Sequence, residues 1–310
     1  MSLTVEELLV PGQVVPALWC PQLMGREGYM VARTVITIRQ ERLGKELRKM
    51  RERAGLGLRE AARAMGINEG RLSNTEMGRF GVSAERVRFL AAYYEAGDTP
   101  LADALAAMAS ERVRGWWEGY RGLLPRGFLD LAELEHHARH VRSLEIVNIP
   151  GLLQTEEHVR ALYRGSPVEM DEEQQNLRVE FRLRRQAVLG RDDFAYEVVI
   201  HEAALRIRKA DRGVARRQLQ HLLEQSERPQ VTVRVVPFDR DGFTSSSPIL
   251  LLDGPVPQLD TVLRDAPHGG AFLDAEAQLA TYRRWIVEVQ KAAFGVVESR
   301  DFIHDMARQT

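Results

Sequence analysis

Cysteine and long apolar segments are what this sequence has least of. Cys20 is the only cysteine among 310 residues, which excludes an internal disulfide framework and a cysteine-rich zinc finger. No apolar run approaches the roughly 18 residues of a membrane-spanning helix. Residues 1–29 lack the basic start of a secretory signal, and three prolines interrupt their apolar stretch. We therefore expect a protein of the reducing cytoplasm.

Motifs of common enzyme chemistry are also missing. The sequence has no glycine-rich phosphate loop, no nucleophile elbow and no HExxH metalloprotease pair. We therefore expect a protein that is not an enzyme and needs no cofactor or metal.

The whole chain carries almost no net charge, but individual segments of it do. The 43 basic and 44 acidic residues give a formal charge of -1. Residues 31–97, however, contain 14 Lys and Arg against 8 Asp and Glu. This basic segment precedes a mildly acidic one, which indicates that one domain faces nucleic acid.

The first 29 residues are set apart from the rest. Met30 offers a second translation start immediately before the basic segment. We expect residues 1–30 to be an N-terminal extension, and one hypothesis is that its start codon is mis-assigned.

Four short helices are predicted in the basic segment. Apolar residues recur at helical spacing from Leu43 to Ala54, from Leu58 to Met65 and from Val87 to Tyr94. Gly66 suits a sharp turn with positive φ, and Asn68 suits the N-cap of a helix over residues 69–77. Gly55 and Gly97 are predicted helix stops. Two short helices joined by a glycine-containing turn are typical of a helix-turn-helix.

The run LGKELRKMRERAGLGLREAARAMGINEGRLSNTEMGR carries a resemblance. Residues 42–97 resemble the Cro/C1-type (XRE) DNA-binding domain, which implies a lambda-repressor-like helical bundle. By this resemblance the recognition helix follows Asn68 and faces the major groove. The implied DNA contacts are Arg59, Asn68, Glu69, Gly70, Arg71, Ser73, Asn74 and Arg79.

The side chains of these residues suit them to different contacts with DNA. Arg71 can donate two hydrogen bonds to guanine, Asn74 can pair with adenine or contact phosphate, and Glu69 can accept from cytosine. Arg59 and Arg79 are expected to contact phosphates.

Three positions depart from the family pattern: Leu58 replaces a frequent Gln, Gly70 offers no side chain, and Thr75 replaces an inward apolar residue. These departures leave open a helix-turn-helix that binds DNA weakly, that binds DNA only as a dimer or with a partner, or that binds protein instead.

A connecting helix is expected over residues 98–125. It contains Trp116, Trp117 and Tyr120, which could line a ligand pocket or could be buried at a domain junction. A helix over residues 131–144 carries Glu133, His136, His137 and His140, whose spacing could hold a metal but also fits a solvated cluster. Farther on, Arg178, Arg182 and Arg185 lie on one helical face that could grip an anion or be solvated.

A small mixed sheet is predicted in the second half. Aliphatic runs over residues 194–201, 231–236, 249–252 and 259–263 read as strands, and a helix over 214–227 separates the first two. A last helix has apolar spacing from Leu279 to Ala293, for packing on the sheet or for a dimer seam. We expect a mainly α fold with a C-terminal α+β domain.

The segments IPGLLQTEEHVRALY, RLRRQAVL, EAALRIR, QLQHLLEQ and VTVRVVPF carry a second resemblance. Residues 112–305 resemble the sensor-like domain of unknown function that follows a Cro/C1-type domain in many actinomycete regulators. The resemblance implies an antitoxin-like transcriptional regulator, often encoded beside a small partner protein.

These observations predict a homodimeric regulator that binds double-stranded DNA through residues 31–97. Residues 126–310 are expected to dimerise and to sense a small-molecule effector or protein partner. An alternative is an antitoxin-like interaction module that neutralises a small partner, with incidental DNA binding. A metal-dependent enzyme built on the histidine cluster is a second alternative.

Overall fold

A computed structural model of the chain describes residues 36–95, 99–111, 114–245, 247–265 and 270–310. The N-terminal extension, the second start at Met30 and the helix stop at Gly97 lie outside these ranges. No helix within them is long and apolar enough to cross a membrane.

Twelve α-helices and six strands follow in chain order within these ranges. They are α1 Ile38–Arg53, α2 Leu58–Ala64, α3 Glu69–Glu76, α4 Ala84–Tyr93, α5 Pro100–Ser110, α6 Arg126–His137, β1 His140–Glu145, α7 Glu156–Arg164, α8 Glu172–Arg185, β2 Ala195–His201, α9 Glu202–Arg206, α10 Arg212–Gln225, β3 Val231–Val236, β4 Ile249–Asp253, β5 Thr261–Arg264, β6 Ala271–Leu273, α11 Glu276–Ala292 and α12 Val296–Gln309.

Helices α1 to α5 enclose one hydrophobic core. Leu47, Leu72, Leu90 and Leu105, from α1, α3, α4 and α5, are fully buried in it. The first four helices match the predicted ones closely, and Gly55 and Gly66 have φ of 70° and 64°. Local apolar spacing and turn residues therefore suffice to place this bundle.

The expected connecting helix over residues 98–125 is wrong in its extent. Helix α5 ends at Ser110, and Glu111 is extended. Residues Trp116–Tyr120 form a separate 3-10 helix. Because α5 buries Leu101 and Leu105 in the N-terminal core, it completes the bundle before the chain leaves it.

The second half is built on a mixed sheet with strand order β3-β2-β1-β4-β5-β6. Strands β1, β2 and β3 are parallel, whereas β4, β5 and β6 pair antiparallel. Helices α10 and α12 contribute to the core that contains β2 and β3. Helix α11 buries Leu279, Ile286 and Val289 in the core with β4 and β5, so packing on the sheet is confirmed for this helix.

The helix predicted over residues 131–144 is also wrong. Helix α6 ends at His137, Ala138 is extended, and His140–Glu145 form β1 at the centre of the sheet. Leu134, Ala138 and Val141 are all inward, but they belong to two elements. Val141 of β1 is buried at the position where the apolar spacing of a helix through Leu134 and Ala138 would continue, so the strand imitates the helical pattern.

Other strand predictions agree with the structure to within two residues, whereas β6 and the final helix α12 were not predicted. Strand β6 has only three residues, so it gives no periodic signal. Helix α12 follows α11 after a short break at residues 293–295.

Candidate nucleic-acid interface

The turn between α2 and α3 has the geometry of a helix-turn-helix. Gly66 adopts positive φ after α2, which a residue with a side chain rarely does. Asn68 then caps α3, with its Oδ1 accepting from the Arg71 amide at 2.8 Å. Ala61 and Ala62 are fully buried on α2, so α2 and α3 cross at close range.

Helix α3 is fixed to α1 at its C-terminal end by an ion pair. The Arg51 guanidinium donates two hydrogen bonds to the Glu76 carboxylate, at 2.7 and 2.8 Å, and a third to the Leu56 carbonyl at 2.9 Å. Both charged side chains are more than nine-tenths buried. This bidentate pair sets the position of α3 on the bundle.

Two glycines allow the same two helices to touch. A Cβ atom on Gly44 of α1 would lie 2.4 Å from the Glu76 carbonyl oxygen, and one on Gly78 would lie 2.8 Å from the Gln40 carbonyl oxygen. Gly78 also has φ of 73°. Helix α3 is therefore followed by a close backbone contact with α1 that leaves no room for side chains.

The predicted DNA contacts lie at the start of α2, on α3 with its N-cap, and directly after α3; together they are called the α3 face. Asn68, Glu69 and Gly70 at the start of α3 are exposed. Arg71, Ser73 and Asn74 are half-buried on the same helix, and Arg59 of α2 and Arg79 after α3 are exposed. The structure brings the start of α2 beside the start of α3, since the Arg59 Nε lies 2.8 Å from the Glu69 Oε1.

The polar groups of this face differ in what they already bind. Glu69 accepts a hydrogen bond from the Arg59 guanidinium, and this bond raises the pKa of Arg59. Asn74 donates from Nδ2 to the Gly70 carbonyl at 2.9 Å. Among the described residues, the Arg71 guanidinium has no ion-pair partner. Arg71 is the single cation of α3 and is therefore its candidate for a hydrogen bond to a DNA base.

Two of the three departures, Leu58 and Thr75, have structural explanations. Leu58 is half-buried and packs against the bundle core. Thr75 is buried, with its hydroxyl donating to the Arg71 carbonyl at 3.0 Å, so it fits an inward position. Gly70 is exposed and leaves a gap in the row of side chains.

The aromatic residues proposed for a ligand pocket lie in a packed cluster. Trp117 and Tyr120 are buried and Trp116 is half-buried, around Phe181 of α8. The Tyr120 hydroxyl donates to Glu180 at 2.6 Å. These aromatic side chains are therefore packed in a core cluster, which agrees with the prediction that they are buried and not with a ligand pocket.

The histidine cluster does not assemble. His136 and His137 end α6, whereas His140 lies on β1 near Glu197 and Asp253 at 3.2 and 3.4 Å. Burial lowers the pKa of His137 to about 3. The described ranges contain no group of three His, Cys, Asp or Glu side chains placed to hold a metal.

The arginine row on α8 is not a solvated face. Arg185 forms a bidentate pair with buried Glu135 at 2.6 and 2.7 Å, and Arg182 donates to Gln154 at 2.7 Å. Arg178 lies over the ring of Phe128. These cations stabilise the second domain internally.

Sequence reasoning missed the residues that join the helical bundle to the second half. Arg42 of α1 donates to the carbonyls of Gln258 and Asp260 and pairs with Asp274 at 3.1 Å. Arg126 of α6 pairs with Glu41 of α1 at 2.7 Å. The sequence presents these charges as ordinary surface residues, because their partners are far away along the chain.

Asp130 and Glu133 of α6 meet the start of α1. Asp130 accepts a hydrogen bond from the Ile38 amide at 3.2 Å. Glu133 is buried, which raises its pKa to about 7, although the charge of Arg39 and hydrogen bonds from Thr37 and Arg39 oppose the rise.

Two protein-family models match parts of the chain. Residues 42–105 match the family described as a helix-turn-helix domain, so the chain carries a DNA-binding domain. No curated protein and no solved structure matches the chain. Residues 128–305, more than half of the chain, match the family described as a domain of unknown function (DUF5753), and the protein belongs to this family.

Proposed function

We propose that the protein is a sequence-specific transcriptional regulator of the Cro/C1 type, and that its second half senses an effector. The observation that carries this proposal is the start of α3, where exposed polar residues and an unpaired arginine project from a rigidly held helix. Base-edge hydrogen bonds from such a helix provide sequence discrimination in the major groove. The role is one of binding and not of catalysis.

The proposed regulator acts as a dimer on a two-fold operator. One short recognition helix with a glycine in its contact row supplies few base contacts, so two half-sites are needed for useful specificity. We assign residues 36–110 to DNA binding, and residues 126–310 to sensing and dimerisation.

Fluorescence anisotropy tests this function. The purified full chain is titrated against a labelled duplex from upstream of its own gene and against a scrambled duplex of equal length. The proposal expects at least a hundredfold tighter binding to the upstream duplex at 150 mM salt, and weaker binding to both as salt rises. Equal affinity for the two duplexes would contradict it.

A second candidate is an antitoxin-like module that neutralises a small partner protein. The Arg59–Glu69 pair favours this second candidate. The pair occupies Arg59, a predicted phosphate contact, and it places a carboxylate beside the DNA-facing surface. Co-purification of a small protein encoded beside this gene, together with equal affinity for the two duplexes, would support this candidate.

A further inference from the structure

We propose that a cavity between α1 and the second half of the chain binds an uncharged, mainly apolar small molecule. We assign this molecule the role of effector in the regulator proposed above, so the effector role rests on that proposed function.

The cavity has a volume of about 380 Å³. Its walls include Ile38 of α1, Leu134 of α6, Leu252 of β4 and Phe272 of β6. Small-molecule sites commonly have volumes of roughly 300–1,000 Å³ and are lined mainly by apolar side chains. The cavity is therefore large enough for a ligand of two or three fused rings.

The charges around the cavity are balanced. Eight charged side chains line it, four of each sign: Arg39, Arg42, Lys45, Arg126, Glu41, Asp130, Asp253 and Asp274.

Each of these eight is already in an ion pair. Arg126 lies 2.7 Å from Glu41 and 3.1 Å from Asp130, and Asp274 lies within 3.2 Å of both Arg42 and Lys45. The two remaining pairs are Arg39–Glu111 at 2.9 Å and Arg142–Asp253 at 2.7 Å.

This pairing selects the ligand class. A charged ligand would have to displace one partner of an existing pair or be buried without a counter-charge, and both are costly. His137 also lines the cavity, and its lowered pKa keeps its imidazole neutral at pH 7. An uncharged molecule can cover the apolar wall and leave every ion pair intact.

Helix α1 connects the cavity to the DNA-binding face. Its first half, from Ile38 to Lys45, lines the cavity. Its second half holds α3 through the Arg51–Glu76 pair. A ligand that binds between α1 and the sheet therefore contacts the helix that positions the recognition helix, and it shifts DNA affinity to the extent that it favours one position of α1.

Gly127 offers a specific way to fill the cavity. It lines the cavity in the first turn of α6, and a Cβ atom there meets no atom within 4 Å. A side chain at position 127 therefore starts in open space on the cavity wall, and we expect the ring of Gly127→Phe to occupy part of the cavity without a backbone clash. Gly119→Phe is the matched control, because Gly119 also has open space around it but lies outside this cavity.

Two fluorescent probes of the same shape test the site. The full chain is titrated with 1-aminoanthracene, which is uncharged at pH 7.5, and with anthracene-1-carboxylate, which is anionic. We expect saturable binding of one 1-aminoanthracene per chain, at least tenfold weaker binding of the carboxylate, and at least tenfold weaker binding of 1-aminoanthracene to Gly127→Phe but not to Gly119→Phe. Equal affinity of the wild-type chain for both probes, or no saturable binding, would overturn the proposal even if a variant failed to fold.

A DNA titration separates this inference from the proposed function. Affinity for a red-labelled upstream duplex is measured with and without saturating 1-aminoanthracene, and we expect at least a threefold change in Kd. An unchanged Kd would overturn the effector role. Probe binding without selective DNA binding would contradict the regulator and leave the cavity site standing, and the reverse result would contradict only the cavity site.

Discussion

Burial and charge conflict at Glu133. Its carboxyl group on α6 faces Thr37 and Arg39 at the start of α1, with Asp130 on its own helix nearby. Burial raises its pKa from 4.5 to about 7, so the folded chain retains a proton that the unfolded chain has lost between these two values. The contribution of the protonated group to stability is complete below pH 4.5 and is lost as pH rises through 7.

The variant Glu133→Gln should therefore stabilise the protein in a pH-dependent way. The neutral amide avoids burying a charge, so we expect a higher free energy of unfolding at pH 8, by up to about 3 kcal/mol. The advantage should disappear below pH 4.5, as measured by urea unfolding across this range.

The control for Glu133→Gln is Glu169→Gln, which changes an exposed carboxylate. It should show no comparable pH dependence. A Glu133→Gln advantage that stays constant from pH 4 to pH 8 would show that burial does not raise this pKa.

At the scale of elements, the close contact of α1 with α3 determines where the recognition helix lies. The substitution Gly44→Ala puts a methyl group 2.4 Å from the Glu76 carbonyl oxygen, so the two helices must separate. We expect a loss of about 1–3 kcal/mol in the free energy of unfolding. Urea unfolding measures it, with Gly57→Ala as control because a Cβ atom there meets no neighbour. Equal stability of the two variants would contradict this account.

The Arg51–Glu76 pair should be strongly coupled. Arg51→Met or Glu76→Leu alone leaves one buried charge without a partner, so each should cost about 3–5 kcal/mol, whereas the double variant should cost much less than the sum. The exposed Arg48–Glu52 pair, at 2.7 Å, is the matched control and should couple by no more than about 1 kcal/mol. Similar coupling energies from the two double-mutant cycles would refute the proposed role of the buried pair.

Sequence predicted the elements whose signals are local. Gly55, Gly66 and Asn68 each mark a helix boundary by their own backbone preference or capping side chain, and the structure has boundaries at these positions. The sequence pattern wrongly predicts a helix at β1, because the pairing of this strand with β2 and β4 depends on residues far away along the chain.

The predicted DNA-facing residues lie near one another because they belong to α2, to α3 with its N-cap, and to the segment directly after α3. The ion pairs that join the bundle to the second half could not be predicted, since Arg42 and Asp274 are separated by most of the chain. Long-range charge pairing leaves no periodic pattern in the sequence.

At the scale of the whole molecule, the two halves share α1. This helix is in the core of the bundle through Leu47 and is held to the second half through Arg42 and Asp274. The predicted DNA-facing residues and the cavity are therefore connected through one helix.

The proposed dimer predicts a definite stoichiometry. Two protomers should bind one operator duplex, because each supplies a single α3 for one half-site. Sedimentation velocity of the complex at saturation should give the mass of two 35.2 kDa chains plus one duplex. A complex with one chain per duplex would argue against the two-fold operator.

The most direct measurement of the central claim is the effect of Arg71→Ala on selective DNA binding. Anisotropy titrations compare wild type, Arg71→Ala and Arg216→Ala on the upstream and scrambled duplexes, since Arg216 is an equally charged, exposed residue of α10. We expect Arg71→Ala to lose selectivity by about 1–3 kcal/mol while Arg216→Ala retains it. Full selectivity in Arg71→Ala would show that α3 does not read DNA through Arg71.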